Sequence, residues 1–218
     1  MRTKLVVFDI DGTLVDSRAT IVACAREAFA AAGLPAPDPE AIRRIVGLSL
    51  PEAMRVLLGR DDFETAQRIA GHYREAFLAR RQRPDHEEPL FPGAREILET
   101  LDARGVLLGV ATGKAMRGLL SVLERHGLER RFVTLQTADH HPSKPHPSML
   151  LAAMAETGAE PADTVFVGDT TFDVEMARAA KVTPVGVRWG NHRPEELAMA
   201  GAAHLLDGFA QLAALVPA

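Results

Sequence analysis

The stretch KLVVFDIDGTLVDS occupies residues 4–17 and decides the fold class of the chain. It starts with an apolar run that favours β structure and then becomes acidic at Asp9 and Asp11, which are followed by a Gly-Thr pair. A short continuous apolar run of this kind is typical of a strand buried on both faces of a sheet. Because ligands bind where strands end at the carboxyl edge of open α/β sheets, the two acids could hold a cation there and face a substrate.

Two other structures could contain the same acidic stretch. Asp-x-Asp-Gly also occurs in turns in which Asp and Gly serve only the backbone, and the motif by itself leaves that alternative open. A calcium-binding EF-hand loop needs a Glu at its twelfth position, but counting from Asp9 that position holds Thr20. Leu14 and Val15 also interrupt the alternating acids of such a loop, which argues against an EF-hand.

Composition bounds the size of the core and the class of partner. With 218 residues, 47% hydrophobic and 25% charged, the chain is expected to fold as one domain or as one domain with a smaller insert. Its net charge of -4 provides no basic surface for nucleic acid or anionic membranes, so we expect neither as a partner. No apolar stretch approaches the length of a membrane span, and we expect a soluble, cytoplasmic protein.

The single cysteine, Cys24, limits the chemistry that thiols could provide. It excludes an internal disulfide and a multi-cysteine metal site. Because Cys24 falls within an Ala-rich helical pattern, we expect a buried structural thiol rather than a nucleophile.

The pattern of apolar residues changes along the chain, which predicts two units. Residues 16–87 contain apolar positions at helical spacing and no buried strand, so this segment is expected to be an inserted helical domain. A second helix within it is predicted to end at Gly47, and the Pro-bearing residues 82–92 are predicted to lead back to the other unit. That unit comprises residues 1–15 and 88–218 and alternates helices with short apolar strands at 106–111, 132–136, 164–167, 183–187 and 204–206. Such alternation predicts an α/β fold, in which helices cover both faces of a parallel sheet.

Three of the predicted strands end in polar residues that could meet at one edge of the sheet. Besides Asp9, these are Thr112 and Gly113 after the second strand, and Asp169 after the fourth. Each is also the kind of residue that caps a helix, but an acid, a hydroxyl and a second acid at equivalent positions favour a shared site. Thr112 and Gly113 open a predicted helix, whose free backbone N–H groups suit a phosphate.

The loop before the predicted helix at residue 148 contains a candidate cation and three histidines. Lys144, followed by a proline, could supply the positive charge that a phosphoryl group and nearby carboxylates both require. His140, His141 and His146 lack helical ligand spacing, so we expect solvated loop histidines rather than a metal site.

Four motifs in order along the chain resemble those of the haloacid dehalogenase superfamily, and in particular its phosphoglycolate phosphatase-like branch. They are Asp9-x-Asp11-Gly-Thr, Thr112-Gly113, Lys144-Pro145 and Gly168-Asp169-Thr-Thr-Phe-Asp173. Each motif is short, but the ordered set spans nearly the whole chain. The resemblance implies a Rossmann-like parallel sheet core with helices on both faces, plus an inserted all-helical cap domain.

The resemblance also implies the chemistry of the first motif. Asp9 would be the nucleophile that forms an aspartyl-phosphate, which replaces one slow hydrolysis by two easier steps. Asp11 would protonate the leaving oxygen as a general acid and then act as the base for water.

The remaining motifs are implied to hold a metal ion and the phosphate. Mg²⁺ would be held by the Asp9 carboxylate, the Asp11 backbone carbonyl and Asp169. Asp173 would complete this acidic metal site either by contacting the groups that bind the ion or by binding the ion through a water molecule. The residues implied to bind phosphate are Thr112, Gly113 and Lys144.

Individual residues separate the reactions found within the superfamily. Dehalogenases lack the second acid, so Asp11 favours phosphoryl transfer, in which a leaving alkoxide needs a proton. Phosphonoacetaldehyde hydrolases use a cap lysine as a Schiff base, but residues 17–85 contain no lysine. Hexose-phosphate mutases usually have an arginine where Leu50 stands. The resemblance therefore implies a Mg²⁺-dependent phosphatase for a small phosphate monoester.

The substrate itself is less closely specified. Phosphoglycolate is the first substrate that the resemblance implies, with pyrophosphate, nucleotide monophosphates and sugar phosphates as alternatives. Arg44, close to Gly47, is expected to bind a substrate carboxylate. We expect a small phosphorylated metabolite as the partner, and either a monomer or a homodimer. A non-enzymatic regulatory protein with a magnesium-phosphate pocket is the rival hypothesis, but a pure binder would not need the proton-transfer acid Asp11.

Overall fold

The computed structural model describes residues 4–216, and its centre is a six-stranded sheet in which every pair of neighbouring strands is parallel. The strands are β1 Leu5–Phe8, β2 Leu107–Thr112, β3 Thr134–Thr137, β4 Thr164–Gly168, β5 Thr183–Val187 and β6 His204–Leu206. In space they follow the order β3-β2-β1-β4-β5-β6. The predicted α/β fold built on a parallel sheet is therefore confirmed.

The first strand lies in the middle of the sheet. It pairs with β2 on one side and with β4 on the other, and Phe8 is in register with Val110 and Val167. The sheet continues from β1 through β2 to β3 on one side, and from β4 through β5 to β6 on the other. Because the strand order reverses between β1 and β4, a crevice opens beyond the carboxyl ends of these two strands. Asp9 and Asp169 are the residues that follow these two ends.

Helices cover both faces of the sheet. They are α5 Ala94–Ala103, α6 Met116–His126, α7 Ser148–Thr157, α8 Thr171–Ala179, α9 Pro194–Ala200 and α10 Ala210–Leu215. Because successive side chains of a strand point to opposite faces, Val6 and Phe8 join one apolar cluster while Leu5 and Val7 join the other. Within residues 4–216, no helix has the length and hydropathy needed to cross a bilayer.

The observed strand bounds agree with the predicted ones at half of the ends and differ by one or two residues at the others. β2 continues through Thr112, which is in register with Thr137 of β3, so Thr112 belongs to the strand. β3 begins at Thr134, later than the predicted start at Phe132, and the intervening Val133 is 58% exposed. The apolar run thus begins two residues before the paired segment, which is why the predicted start of β3 is too early.

Four further helices fill the segment between β1 and α5. They are α1 Arg18–Ala31, α2 Pro39–Arg43, α3 Leu50–Leu58 and α4 Phe63–Arg81, and we call residues 18–81 the helical insert. Asp38 and Asp62 start α2 and α4 by accepting hydrogen bonds from backbone N–H groups of the first turn. The insert has an apolar cluster of its own, which includes Ile42, Met54 and Ile69.

The second helix of the insert ends at Arg43, before the predicted end at Gly47. Turns follow, and Ile45 and Val46 are buried in them. Because these turns also face the apolar cluster of the insert, the helical spacing of apolar residues continues past the end of the helix. Gly47 has a φ of +98°, a conformation that residues with a side chain rarely adopt.

The two segments that join the helical insert to the sheet lie side by side. The backbone N–H of Asp16 donates to the carbonyl of Pro89 at 2.8 Å, and that of Phe91 donates to Leu14 at 2.9 Å. Val15 and Leu90 form an antiparallel bridge between them. The insert therefore leaves the sheet and returns to it at one place, next to the acidic turn after β1.

Candidate active site

Three carboxylates meet in the crevice between β1 and β4. Asp9 follows β1, Asp169 follows β4, and Asp173 lies in the first turn of α8. One carboxylate oxygen of each lies within 4.8 Å of the others, and all three side chains are buried. The sequence prediction that acids distant along the chain meet at this edge of the sheet is therefore confirmed.

Asp169 is held in position by hydrogen bonds from two loops. The hydroxyl of Thr13 donates to Oδ1 at 3.1 Å, while the backbone N–H and the side-chain amide of Asn191 donate to Oδ2 at 2.7 and 2.8 Å. A Cβ atom on Gly190 would lie 2.1 Å from Cβ of Asp169, so only glycine fits there. Asn191 and Gly190 follow β5, and sequence reasoning gave neither a role in the site.

Both oxygens of Asp173 accept hydrogen bonds from the protein. Oδ2 accepts from the backbone N–H groups of Asp169 and Thr170 and from the Thr170 hydroxyl, at 3.1, 2.9 and 2.8 Å. Oδ1 accepts from Nζ of Lys144 at 2.7 Å. Asp173 and Thr170 form a capping box at the start of α8, so this carboxylate fixes both the helix terminus and the lysine.

Lys144 is a buried cation, not a solvated one. Its Nζ lies 3.1 Å from Oδ1 of Asp9 and 2.7 Å from Oδ1 of Asp173, and the residue is 1% exposed. Burial alone would lower the pKa of Lys144, but the two carboxylates outweigh it and raise the pKa above its ordinary value. Lys144 therefore brings a fixed positive charge to the carboxylates.

One lysine does not balance three buried acids. Burial, together with Asp173 and Asp11, outweighs the opposing effect of Lys144 and raises the pKa of Asp9 to about 6. Burial and the neighbouring Asp173 and Asp9 raise the pKa of Asp169 to about 8. Both raised values show that the site favours an additional positive charge, either a proton or a cation.

The donor atoms of this site fit a hard divalent cation. Both carboxylate oxygens of Asp9 are buried, and neither accepts a hydrogen bond of ordinary geometry from the described residues. The cluster offers only oxygen ligands, the type that Mg²⁺ prefers, and Asp9 and Asp169 lie on adjacent strands. Because Asp173 already accepts four hydrogen bonds, Asp9 has the greater capacity to bind an ion directly.

Asp11 is paired with a lysine that sequence reasoning did not assign to the site. Nζ of Lys114 lies 2.9 Å from each carboxylate oxygen of Asp11, and 4.9 Å from the ring centroid of Phe77 in α4. Burial would lower the pKa of Lys114, but Asp11 and other acids raise it. The ion pair fixes the orientation of Asp11, and Phe77 brings the helical insert into contact with it.

Thr112 and Gly113 lie beside these acids, although they do not open a helix as predicted. Thr112 ends β2, and α6 begins only at Met116. A Cβ atom on Gly113 would lie 2.5 Å from the carbonyl oxygens of both Gly47 and Leu48. Gly113 thus allows the turns of the insert to approach the edge of the sheet.

A cavity of about 570 Å³ lies between the sheet edge and the helical insert. On the sheet side its lining includes Asp9, Asp11, Thr112 and Gly113. The insert forms the opposite wall. Asp9 and Asp11, the two acids that the sequence predicts to react, therefore face a space large enough for a small metabolite.

Arg44 lies outside the lining of this cavity. Its guanidinium pairs with Glu196 at 3.1 Å, and half of its side chain is exposed. It contributes instead to a separate groove with Ser143 and Lys144. The expected contact between Arg44 and a substrate carboxylate has no support in this arrangement.

The loop histidines divide into two groups. His140 and His146 are exposed, as expected. His141 is half-buried, with Nδ1 2.7 Å from the Ser148 hydroxyl and Nε2 2.9 Å from Oε1 of Gln136. The expectation of a solvated side chain was therefore wrong for His141, which ties its loop to α7 and β3.

Comparison with known proteins gives consistent matches along the chain. Residues 6–187 match the family model described as haloacid dehalogenase-like hydrolase. The chain is 37% identical to "Probable phosphatase IndB" of Dickeya dadantii, over 95% of this chain and 91% of that protein. It is 34% identical to the N-acetylmuramic acid 6-phosphate phosphatase of Pseudomonas aeruginosa, over 90% of this chain and 86% of that protein.

A phosphoglycolate phosphatase and a solved hydrolase are also similar. The phosphoglycolate phosphatase of Pseudomonas syringae pv. syringae is 31% identical over 96% of this chain and 78% of that protein. The crystal structure of a hydrolase from Pseudomonas syringae superposes with a TM-score of 0.85 at 30% identity, covering 96% of this chain and 95% of that one. The matches thus extend over both the sheet and the helical insert.

Proposed function

This chain belongs to the haloacid dehalogenase-like hydrolase family and is a phosphatase, and from that premise we propose that it hydrolyses a small phosphate monoester with the help of Mg²⁺. The observation that supports this most directly is the state of Asp9. Its carboxylate is buried, short of hydrogen bonds, 3.1 Å from Lys144, and part of the cavity wall. A nucleophile needs such free lone pairs facing the substrate.

The proposed reaction proceeds in two steps. In the first, an Asp9 carboxylate oxygen attacks phosphorus, the ester P–O bond breaks, and Asp11 gives a proton to the leaving alkoxide. In the second, Asp11 takes a proton from water as the water oxygen attacks phosphorus, and the aspartyl P–O bond breaks to release inorganic phosphate. An acid-base partner of this kind typically contributes about 10²–10⁴-fold to the rate.

The residues proposed to hold Mg²⁺ are the Asp9 and Asp169 carboxylates and the Asp11 backbone carbonyl. When bound, the ion would offset the repulsion between the anionic nucleophile and the anionic phosphate. Lys144 would act in the same direction from a fixed position, and Asp173 would keep it there. Thr112 and Gly113 would provide hydrogen-bond donors for the phosphate oxygens.

The helical insert is proposed to act as a cap over these groups. Its support is the contact of Phe77 with Lys114 and the close approach of the Gly47 turn to Gly113. Both contacts lie at the mouth of the crevice, and this supports a cap that would exclude water during the reaction. The proposed partner is a small phosphorylated metabolite.

A sugar phosphate is a second candidate substrate beside phosphoglycolate. The specific support is the similarity to the N-acetylmuramic acid 6-phosphate phosphatase, which is slightly greater than that to the phosphoglycolate phosphatase. The cavity has room for either molecule.

Phosphate release after removal of metal tests the proposal. Protein treated with a chelator should not hydrolyse p-nitrophenyl phosphate, and added Mg²⁺ should restore the activity. Asp9→Asn should abolish steady-state turnover and Asp11→Asn should leave a small residue, while the exposed Asp61→Asn control should keep full activity. Full activity of Asp9→Asn would contradict the mechanism, and phosphate binding without turnover in the parent protein would favour the regulatory alternative.

A further inference from the structure

The cavity extends well beyond the reacting carboxylates into the helical insert. A two-carbon leaving group such as that of phosphoglycolate would occupy only the part beside Asp9 and Asp11. The remaining wall is formed mainly by apolar side chains of α1, α3, α4 and the turns after α2, namely Ile21, Ala25, Ile45, Val46, Leu48, Leu50, Ala53, Met54, Tyr73, Phe77 and Leu78. A substrate that left this wall in contact with water would forgo most of the available binding energy.

We propose that the leaving alcohol of the substrate carries an apolar group of about the size of a six-membered ring, which binds against α3 and α4 of the helical insert. This inference rests on the proposed phosphatase function, and it names the class of phosphate monoester. It revises the two candidate substrates named above, because phosphoglycolate and unmodified sugar phosphates have small or polar leaving groups and would be poorer substrates than an ester with an apolar leaving group.

The wall combines buried core side chains with a partly exposed apolar surface. Met54, Ala25 and Ile45 are 1%, 0% and 6% exposed and belong to the apolar cluster of the insert, whereas Leu48, Leu50 and Leu78 are more exposed and offer their surface to the cavity. These leucines cannot hydrogen-bond, so a polar leaving group placed against them would lose its hydrogen bonds to water without replacement. An apolar group would gain from the same transfer.

Two aromatic side chains offer a surface for a ring. Tyr73 and Phe77 lie one turn apart on α4, with ring centroids 6.0 Å apart and an angle of 24° between their planes. Both line the cavity, and Phe77 also contacts Lys114. A flat apolar group could stack on this pair while its phosphate reaches Asp9.

Most charged side chains of the lining are exposed or paired. Arg74, Glu75, Arg117 and Asp139 are exposed, and the largely buried Lys114 is paired with Asp11. Arg81, in the last turn of α4, is half-buried in the lining. It is a cation that could attract a carboxylate on the leaving group, so the comparison of alkyl phosphates with 2-phosphoglycolate below tests whether Arg81 or the apolar side chains set the preference.

A series of primary alkyl phosphates tests this inference without changing the protein. Ethyl phosphate and 2-phenylethyl phosphate have leaving alcohols of similar basicity but differ by one apolar ring. Burying a ring of that size should raise kcat/KM by roughly tenfold or more. We expect 2-phenylethyl phosphate to exceed ethyl phosphate by at least this factor, and also to exceed 2-phosphoglycolate and glucose 6-phosphate.

Substitutions in the wall provide an independent test. Leu50→Gln and Leu78→Gln, at two partly exposed leucines of the lining, should lower the ratio of kcat/KM for 2-phenylethyl over ethyl phosphate by roughly threefold or more. Met199→Gln is the matched control, because Met199 is 88% exposed and lies outside the lining. Activity on ethyl phosphate serves in each variant as the check on folding.

The possible results separate this inference from the proposed function. Hydrolysis of p-nitrophenyl phosphate that depends on Asp9, with no preference for 2-phenylethyl over ethyl phosphate, would overturn the apolar leaving group alone. A higher kcat/KM for 2-phosphoglycolate or glucose 6-phosphate would do the same. If no phosphate is released from any of these esters, both the function and this inference are wrong.

Discussion

Both carboxylate oxygens of Asp11 lie 2.9 Å from the ammonium nitrogen of Lys114. The ring centroid of Phe77, in α4 of the helical insert, lies 4.9 Å from the same nitrogen. The two residues of the ion pair are 103 positions apart in the sequence and follow the adjacent strands β1 and β2. The Asp11 carboxylate, which is proposed to transfer protons, is thus oriented by a lysine that follows β2, and an aromatic side chain of the insert covers that lysine.

Replacing Lys114 by Met should lower kcat by about 10²-fold, because a displacement of about 1 Å in a catalytic group has an effect of that size. KM should change much less, since the phosphate would still meet Lys144. Steady-state kinetics with p-nitrophenyl phosphate measures both values. Lys4→Met is the matched control, because the side chain of Lys4 is 59% exposed and pairs with Asp163, at the end of β1 opposite to the acids. A variant with unchanged kcat would show that Asp11 needs no such support.

Replacing Lys144 by Met should both inactivate and destabilise the protein. The change leaves Asp9, Asp169 and Asp173 buried without their ammonium group, and breaking a buried pair by removing one partner costs about 3 kcal/mol or more. Urea denaturation of the metal-free protein at neutral pH measures the loss. If the unfolding free energy stayed within about 0.5 kcal/mol of the parent value, Lys144 would not be balancing the buried acids.

The metal-free protein should become less stable as the pH rises from 6.5 to 8. Folding raises the pKa of Asp169 from 3.8 to about 8, so in this interval the folded state binds a proton that the unfolded chain has released. The unfolding free energy should fall by roughly 1–2 kcal/mol across it. The raised pKa of Asp9, about 6, adds to the same trend at lower pH.

Two histidines oppose this trend only at lower pH. Burial lowers the pKa values of His141 and His192 below their ordinary value of 6.5. Urea denaturation at several pH values gives the slope. Asp169→Asn should remove most of it and Asp61→Asn should not, whereas a slope of the opposite sign in the parent protein would contradict the assignment.

Replacing Gly113 by Ala should reduce activity strongly and lower stability by about 1–3 kcal/mol. The added Cβ would lie 2.5 Å from two backbone carbonyl oxygens of the Gly47 turn, and backbone atoms cannot move aside as a side chain can. Gly71→Ala is the control, because a Cβ there meets nothing within 4 Å and the helix α4 should gain about 0.5–1 kcal/mol. Thermal unfolding and phosphate release together distinguish the two substitutions.

Sequence patterns predicted the parallel sheet and the meeting of Asp9 with Asp169, because apolar strands and the acids after them are local signals. They did not predict the ion pair of Lys114 with Asp11 or the hydrogen bonds of Asn191 with Asp169. The partners in these contacts are 103 and 22 residues apart, and their side chains are of types that are common on surfaces. Only the register of neighbouring strands brings them together.

The expectations for Arg44 and His141 had a different weakness. Arg44 is close in sequence to Gly47, but the end of α2 directs it toward Glu196 at the start of α9. The Pro-rich loop of His141 predicts a solvated side chain, yet Gln136 and Ser148, on either side of the loop, contact its ring nitrogens. In both residues, tertiary contacts outweighed the local pattern.

The side-by-side segments at Val15 and Leu90 have a consequence for how such a protein can change over evolutionary time. The residues between them could be lengthened, shortened or exchanged as a unit without altering the connectivity of the sheet. Substitutions that change which molecule is accepted would then accumulate in this exchangeable segment, while the residues that break the phosphate ester bond are inherited unchanged.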